Sequence, residues 1–502
     1  MNQFVKIFLS VLFLTTLVSC DEFLDVNQNP NSPGSATLPL SSKLSAALVA
    51  TVNLETGTIN QVGAFWGGYW GTNNDGINQF LDLKTFNGPE IRHQRDGILI
   101  WENTFNAMLY YKLIQQEAEL KDARFYAGVS KIMLGWHFLR LVDIYNGVPF
   151  DDALTNTLSP AYEDGKTVYE KAMALISAGI SDLKNTPAGS EAGADDVVFK
   201  GNTLSWIKFA NTIKLRALIR QSEVSSQSSY IASQIQLIQQ EGSGFLGKGE
   251  SALIQPGYLE TSGKLNPFWE NYYRNLQGVS TSNREMIRPT VYLIDQYKLR
   301  NDPRLANLYT TVDGEYKGVL FGNPETLPNF ERIATSAFKG PLENDGKPAA
   351  IFKRYNQPSV LMGSYESLFL QAEAVQRGWL PGSAKGLYEQ AIQDSFAYME
   401  VPASAFAAYN AQATVNFDQA VDKIERIIGQ KWLALNSISS IEAWNDYRRT
   451  GFPDFPNSLN APTPTSRPLR FMYPESERMT NNEQTNRMGS DETLKDPVWW
   501  DQ

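Results

Sequence analysis

In 502 residues the chain has one cysteine, Cys20, and two histidines, His93 and His137. A single cysteine excludes an intrachain disulfide, so burial of apolar surface has to carry the stability. Two histidines leave little material for histidine-bound metals or proton relays. His137 lies in a helical pattern between Trp136 and Phe138, where a packed side chain is expected, and His93, in Ile91-Arg92-His93-Gln94-Arg95, has no ligand pattern beside it. Positive charge is also in deficit, with 44 Lys and Arg against 54 Asp and Glu and a net charge of -10, which argues against a nucleic-acid partner. Beyond Cys20 no apolar run reaches the roughly 20 residues that a membrane-crossing helix requires. The chain has no Gly-x-Ser-x-Gly elbow, His-Glu-x-x-His helix or phosphate-cradling Lys-Ser/Thr loop. Ser-x-x-Lys occurs at Ser181 to Lys184 and Ser205 to Lys208 without companion motifs and reads as chance. Carboxylate chemistry stays open, because a glycosidase needs only two acids at the right separation.

What is present begins at the amino end. Lys6 precedes a largely apolar run from Ile7 to Val18, and Leu17-Val18-Ser19-Cys20 ends it. Charge, apolar run, small residue and cysteine in that order resemble a bacterial lipoprotein signal, in which cleavage exposes the cysteine and lipid is attached to it. Residues 1–19 are therefore expected to be a signal peptide and Cys20 a lipid-bearing terminus. Residues 20–42, polar and rich in Asn and Pro, are expected to form an irregular leader, with the body of the protein at 43–502. Asp21-Glu22 after the cysteine resembles the surface-export signal of Bacteroidetes lipoproteins, which implies a protein tethered to the outer membrane and facing outward.

Helical patterning dominates the body. Phe125, Val129, Ile132, Met133, Trp136, Leu139 and Val142 form a stripe at helical spacing from Arg124 to Tyr145. Gly128 and Gly135 lie beside it, where they would let a second helix approach closely. Further helices are expected over Trp101 to Leu120, Val168 to Leu183, Leu204 to Ser222, Tyr230 to Gln240, Tyr365 to Arg377, Ala384 to Met399 and Phe417 to Leu435, with long loops or short strands around 242–263, 314–348 and 452–468. Leu368, Ala372 and Val375, followed by Ala384, Tyr388, Ala391 and Ile392, fit a tetratricopeptide-like helix pair, and Tyr169 with Ala172 repeats its signature. The fold class is mainly α, a single large helical domain with such pairs and long insertions.

Trp206-Ile207-Lys208-Phe209-Ala210-Asn211-Thr212-Ile213-Lys214-Leu215-Arg216 resembles a signature helix of the SusD/RagB family of surface lipoproteins. Asn301-Asp302-Pro303-Arg304-Leu305 resembles the family's Asp-Pro-Arg turn. Gln430 to Leu435, followed by Glu442-Ala443-Trp444-Asn445-Asp446-Tyr447-Arg448-Arg449-Thr450-Gly451, resembles its carboxyl-terminal helix-turn-helix. The resemblance spans nearly the whole chain. It implies a non-enzymatic, cofactor-free binding protein that caps a TonB-dependent SusC-like barrel, captures an oligomeric nutrient and closes to deliver it. The ligand it implies is an oligosaccharide or a peptide, of which a glycan is favoured here. A surface glycoside hydrolase and a structural adaptor built on the helical repeats are the alternatives from other classes.

Two aromatic clusters are the ligand candidates, because a sugar needs a flat aromatic platform with amide or carboxylate groups beside it. In the first, Trp66, Tyr69 and Trp70 would share a helical face, with Asn73, Asn74 and Asp75 in the following turn; packing of an early helix against the core is the competing reading. Asn73, Asp75, Gly76 and Asp82 also resemble a calcium loop faintly, but its first ligand position is Gly71, so no metal is expected. In the second, Trp269, Tyr272 and Tyr273 would stack on the ligand while Asn271 and Arg274 orient its polar groups. Trp499 and Trp500 at the end of the chain are expected to dock onto the body.

Overall fold

A computed structural model describes residues 38–92, 97–155 and 157–501. Cys20, the signal segment, most of the leader and His93 lie outside them. The principal helices are α1 (Leu40–Leu54), α2 (Asn60–Trp66), α3 (Ile100–Leu120), α4 (Arg124–Tyr145), α5 (Gly165–Lys184), α6 (Thr203–Arg220), α7 (Pro267–Tyr272), α8 (Val291–Leu299), α9 (Ser364–Gln376), α10 (Ala384–Tyr398), α11 (Lys423–Leu435) and α12 (Ile441–Thr450). Two short antiparallel ribbons accompany them: β1 (Trp70–Thr72) pairs with β3 (Ile287–Pro289), and β2 (Ala252–Ile254) with β4 (Ser359–Met362). The mainly α class expected from the patterning is the architecture observed. Among the described residues no helix is long and apolar enough to cross a membrane.

The tetratricopeptide-like pairs form where the small residues permit them. α4 packs on α5, and α9 on α10. At the first contact a side chain on Gly128 would meet the Gly179 carbonyl at 2.8 Å, and one on Gly179 would meet the Gly128 carbonyl at 2.6 Å, so glycine on both helices sets the distance between their axes. α4 begins and ends as expected, whereas α11 starts six residues later than its apolar pattern suggests. The reason is local: the Asp422 carboxylate accepts from the Ile424 and Glu425 amides and starts the helix there. At the other end of the chain order, α1 already begins at Leu40, inside the segment expected to be irregular.

A π-type turn over Glu55–Ile59 bends the chain between α1 and α2 and brings Glu55 inward. Its carboxylate accepts from Trp136 Nε1 at 2.7 Å and pairs with Arg140 at 3.0 Å. Arg140 also holds Glu442 at 2.7 Å, and Glu442 further accepts from Arg220 and lies 3.4 Å from Arg216. Glu442 on α12 is thus fully buried among three guanidiniums contributed by α4 and α6. A second knot lies further along the helix, where Arg449 binds Glu373 of α9 at 2.6 Å and Asp446 at 3.1 Å, while Lys431 of α11 reaches Asp446 at 2.8 Å. The polar residues of the Glu442 to Gly451 signature are therefore interior connectors. The chain end joins the same region: Trp500 is fully buried and donates from Nε1 to Asp143 at 3.0 Å.

The Asp-Pro-Arg turn works in the same way. Arg304 is fully buried, chelated by Asp302 at 2.6 Å, and it donates to Ser395 of α10 at 3.0 Å and Gln430 of α11 at 3.2 Å. His137 is buried with Nε2 3.0 Å from the Thr51 hydroxyl; burial lowers its pKa to about 3, so it is a neutral packing residue.

Burial alone would raise the carboxyl of Glu442, but Arg216, Arg220 and Arg140 outweigh it and hold it well below the carboxylate range. Glu373 is likewise pushed up by burial and pulled down further by Arg449 and Arg377, to about 2 against an ordinary 4.5. A carboxyl depressed by folding adds stability that is fully present above its unfolded value and is lost as the pH falls through its folded one. Urea stability is therefore expected to decline as the pH drops from about 4.5 toward 2, and Glu373→Gln to flatten that decline. Glu442→Ala is expected to cost about 3–5 kcal/mol at pH 7 in urea titrations, since it leaves three buried guanidiniums short of a partner.

Candidate functional site

The first aromatic cluster is packed inside, which corrects the reading of Trp66, Tyr69 and Trp70 as a ligand platform. Gly67 and Gly68 end α2 directly after Trp66, so the three rings do not share a helical face. Trp66 donates to the Leu83 carbonyl at 2.9 Å and lies 4.9 Å from the Trp444 ring. Tyr69 donates to the Trp432 carbonyl at 2.6 Å and stacks on its ring at 4.8 Å. Trp70 donates to Ser437 at 2.8 Å. Relative exposures of 3%, 0% and 0% leave no ring face for a ligand.

The polar turn after them also has inward duties. Asn73 donates to the Glu285 carbonyl at 2.7 Å and Asn74 to the Leu327 carbonyl at 2.8 Å, so both amides tie loops together. Only Asp75 is exposed, 3.6 Å from Arg332. The oxygens that a cation would need serve Lys84 instead: its buried ammonium donates to the Thr72 hydroxyl at 2.8 Å and to the Gly76 and Ile77 carbonyls at 2.8 and 3.0 Å. Asp82 is turned toward the amides of Glu90 and Ile91. Among the described residues no group of three or more His, Cys, Asp or Glu is placed to hold a metal ion.

The second cluster divides. Tyr272 and Tyr273 are buried, with hydroxyls on Gln61 at 3.1 Å and Glu343 at 2.9 Å, which corrects their reading as stacking platforms. Trp269 is half-buried with its ring edge-on to Tyr273 at 4.6 Å, Asn271 is exposed, and Arg274 is half-buried and donates to the Gly278 carbonyl at 2.6 Å. The fold brings the two clusters together: the Trp70 and Tyr272 rings are 5.0 Å apart, and a chain of ion pairs runs from Arg274 through Glu343, Arg284, Glu285 and Arg332 to Asp75.

The large concavity lies elsewhere, between α8, α11 and the strap at 452–454. It is a cleft of about 500 Å³ that Tyr292, Gln296 and Arg300 enter from α8, Asp422, Glu425 and Arg426 from the start of α11, and Phe452 and Asp454 from the strap. A smaller groove of about 160 Å³ adjoins it, lined by Val319, Leu320, Phe321 and Phe455. Tyr292 belongs to both and forms their common wall. Its ring is half-buried and meets Trp432 edge-on at 5.7 Å, and Trp432 stacks in turn on Tyr69. An aromatic wall braced from behind, with amides and charged groups on one side and an apolar shelf on the other, offers what a sugar ring and its hydroxyls require.

Sequence reasoning missed this cleft because its residues come from three distant segments and no local run of aromatics announces it. The one signal was position: Tyr292 and Arg300 stand on the helix that leads into the Asp-Pro-Arg turn, and Asp422 to Arg426 open the helix that carries Trp432.

No curated protein matches the sequence. Solved structures do match the fold. A chitin-binding SusD homologue from Flavobacterium johnsoniae is 23% identical with a TM-score of 0.72, over 91% of this chain and 98% of its own. A SusD homologue from Bacteroides fragilis is 22% identical with a TM-score of 0.73, over 92% and 99%. One from Bacteroides uniformis is 21% identical with a TM-score of 0.72, over 92% and 99%. The SusD-like family model, described as starch-binding associating with outer membrane, matches residues 73–474. With its signature segments folded into the interior ion pairs described above, the chain belongs to the SusD-like family.

Proposed function

We propose that the protein is a non-enzymatic binding protein of the outer membrane, tethered through Cys20 and facing outward, that captures an oligosaccharide in the Tyr292 cleft and passes it to a TonB-dependent SusC-like barrel. The observation that carries this reading is the braced tyrosine wall between a polar cleft and an apolar groove, since an oligomer can lay successive units on either side of it. The description of the family as starch-binding and the chitin-binding homologue support a glycan over a peptide. Capture of this kind breaks no bond. Trp269, Asn271 and Arg274 remain as a smaller outer patch against which the cleft can be compared.

Calorimetric titration with maltotriose, chitotriose and xylotriose separates the two faces. Tyr292→Ala is expected to weaken glycan binding at least tenfold with a folded circular-dichroism spectrum, and Trp269→Ala to change it less than threefold; the reverse pattern would move the site to the second cluster. Release of reducing ends during the titration would favour a hydrolase. Cys20→Ser is expected to abolish incorporation of labelled palmitate and to shift the protein out of the membrane fraction.

A further inference from the structure

Several buried arginines in this fold are matched by carboxylates. Arg140, Arg216, Arg220, Arg304 and Arg449 each have a carboxylate within ion-pair distance. Arg288 lacks one, but it is 2% exposed and spends its nitrogens on Thr335 and three backbone carbonyls. Arg448 is likewise buried without one and donates to the Leu469 and Asp143 carbonyls and to Asn445, and Arg487 donates to the Tyr162 carbonyl and Gln484. Two further arginines without a carboxylate line the cleft. Arg300 donates from Nη1 alone, to the carbonyl and side chain of Gln296 at 2.9 and 2.7 Å. Arg426 donates from Nη1 to the carbonyls of Ala413 and Asn416 at 3.1 and 2.9 Å, and stands beside the Tyr388 hydroxyl. Neither forms an ion pair among the described residues, and both are half-buried in the wall of the 500 Å³ cleft.

A guanidinium carries five N–H donors in a planar fork. In each of these two the contacts hold Nη1 and leave donors without a carboxylate partner, and a guanidinium with free donors can receive a carboxylate in paired hydrogen bonds. Three acids, Asp422, Glu425 and Asp454, also line the cleft, but none is within ion-pair distance of either arginine. Asp422 is engaged by the Ile424 and Glu425 amides, and Asp454 lies 3.9 Å from Arg467. Glu425 is exposed and has no ion pair among the described residues.

We propose that the cleft selects acidic oligosaccharides, with Arg300 and Arg426 receiving the carboxylate of a uronic-acid unit while Tyr292 stacks on a neighbouring ring. This rests on the capture reading and narrows its substrate class. Glu425 then opposes the ligand's charge and tempers its affinity. A carboxylate can also come from an acidic peptide; the sugar acid is the occupant argued here because the family is described as starch-binding and a structural relative binds chitin.

The test is titration of the full-length protein with trigalacturonate, its methyl ester, chitotriose, maltotriose and triglutamate. Trigalacturonate is expected to bind at least tenfold more tightly than its methyl ester, and to weaken at least fivefold between 50 and 500 mM NaCl. Arg300→Gln and Arg426→Gln should each shrink the preference for trigalacturonate over its methyl ester at least tenfold, and Glu425→Gln should tighten trigalacturonate. The ester comparison and the salt dependence use the unaltered protein, so they decide the matter even if an arginine variant folds poorly. Neutral trisaccharides binding as well as trigalacturonate would overturn the acidic selection and leave glycan capture standing. Binding of triglutamate alone, or of none of the five, would overturn both.

Discussion

A carboxylate buried among three guanidiniums is the constraint on which this fold depends. Glu442 has no exposure to solvent, and its partners come from α4 and α6, more than two hundred residues earlier in the chain. Buried charges are unfavourable unless every one is matched with good geometry, so the helices that contribute them can dock in only one register. Glu55 extends the arrangement into the π-type turn, and Asp143 extends it to Trp500 at the end of the chain. Parts of the molecule that are remote in sequence are thereby referred to a common centre. In a chain without a disulfide, this referencing is what turns apolar burial, which is non-directional, into a specific arrangement.

The helices were legible in the sequence because their apolar stripes repeat at helical spacing and their contacts use glycine, as at Gly128. Boundaries set by a side-chain cap were less so: the start of α11 depends on Asp422, which no periodicity reveals. The aromatic clusters illustrate a different loss of information. Trp66, Tyr69 and Trp70 look like a platform because neighbouring aromatics and amides are equally what a core turn and a sugar site require. What separates the two is which way each ring points, and that is decided by Gly67 and Gly68 ending α2 and by partners such as Trp432 and Trp444 far along the chain. Tyr292 shows the converse, a lone ring whose place in the cleft depends on elements over a hundred residues downstream.

The candidate calcium loop carries the same lesson in electrostatic terms. A turn rich in oxygen acceptors needs positive charge, but the sequence does not say whether an ion or a side chain supplies it. Here Lys84 does, at the expense of its own basicity: burial lowers its pKa to about 8. The turn is thereby held by a covalently attached cation.

The helix α11 has two faces with different obligations. Inward, Ile427, Gln430, Lys431 and Trp432 are buried and engage the Asp-Pro-Arg turn, Asp446 and Tyr69. Toward the cleft, Glu425 is exposed, and Arg426 is half-buried and donates to the Ala413 and Asn416 carbonyls. Gln430 reaches both sides, lining the cleft while accepting from Arg304, so the cleft is coupled to the interior at that position. The exposed Glu425 is a position on this helix where a substitution meets the cleft alone, since it has no ion pair among the described residues and lies outside the buried face.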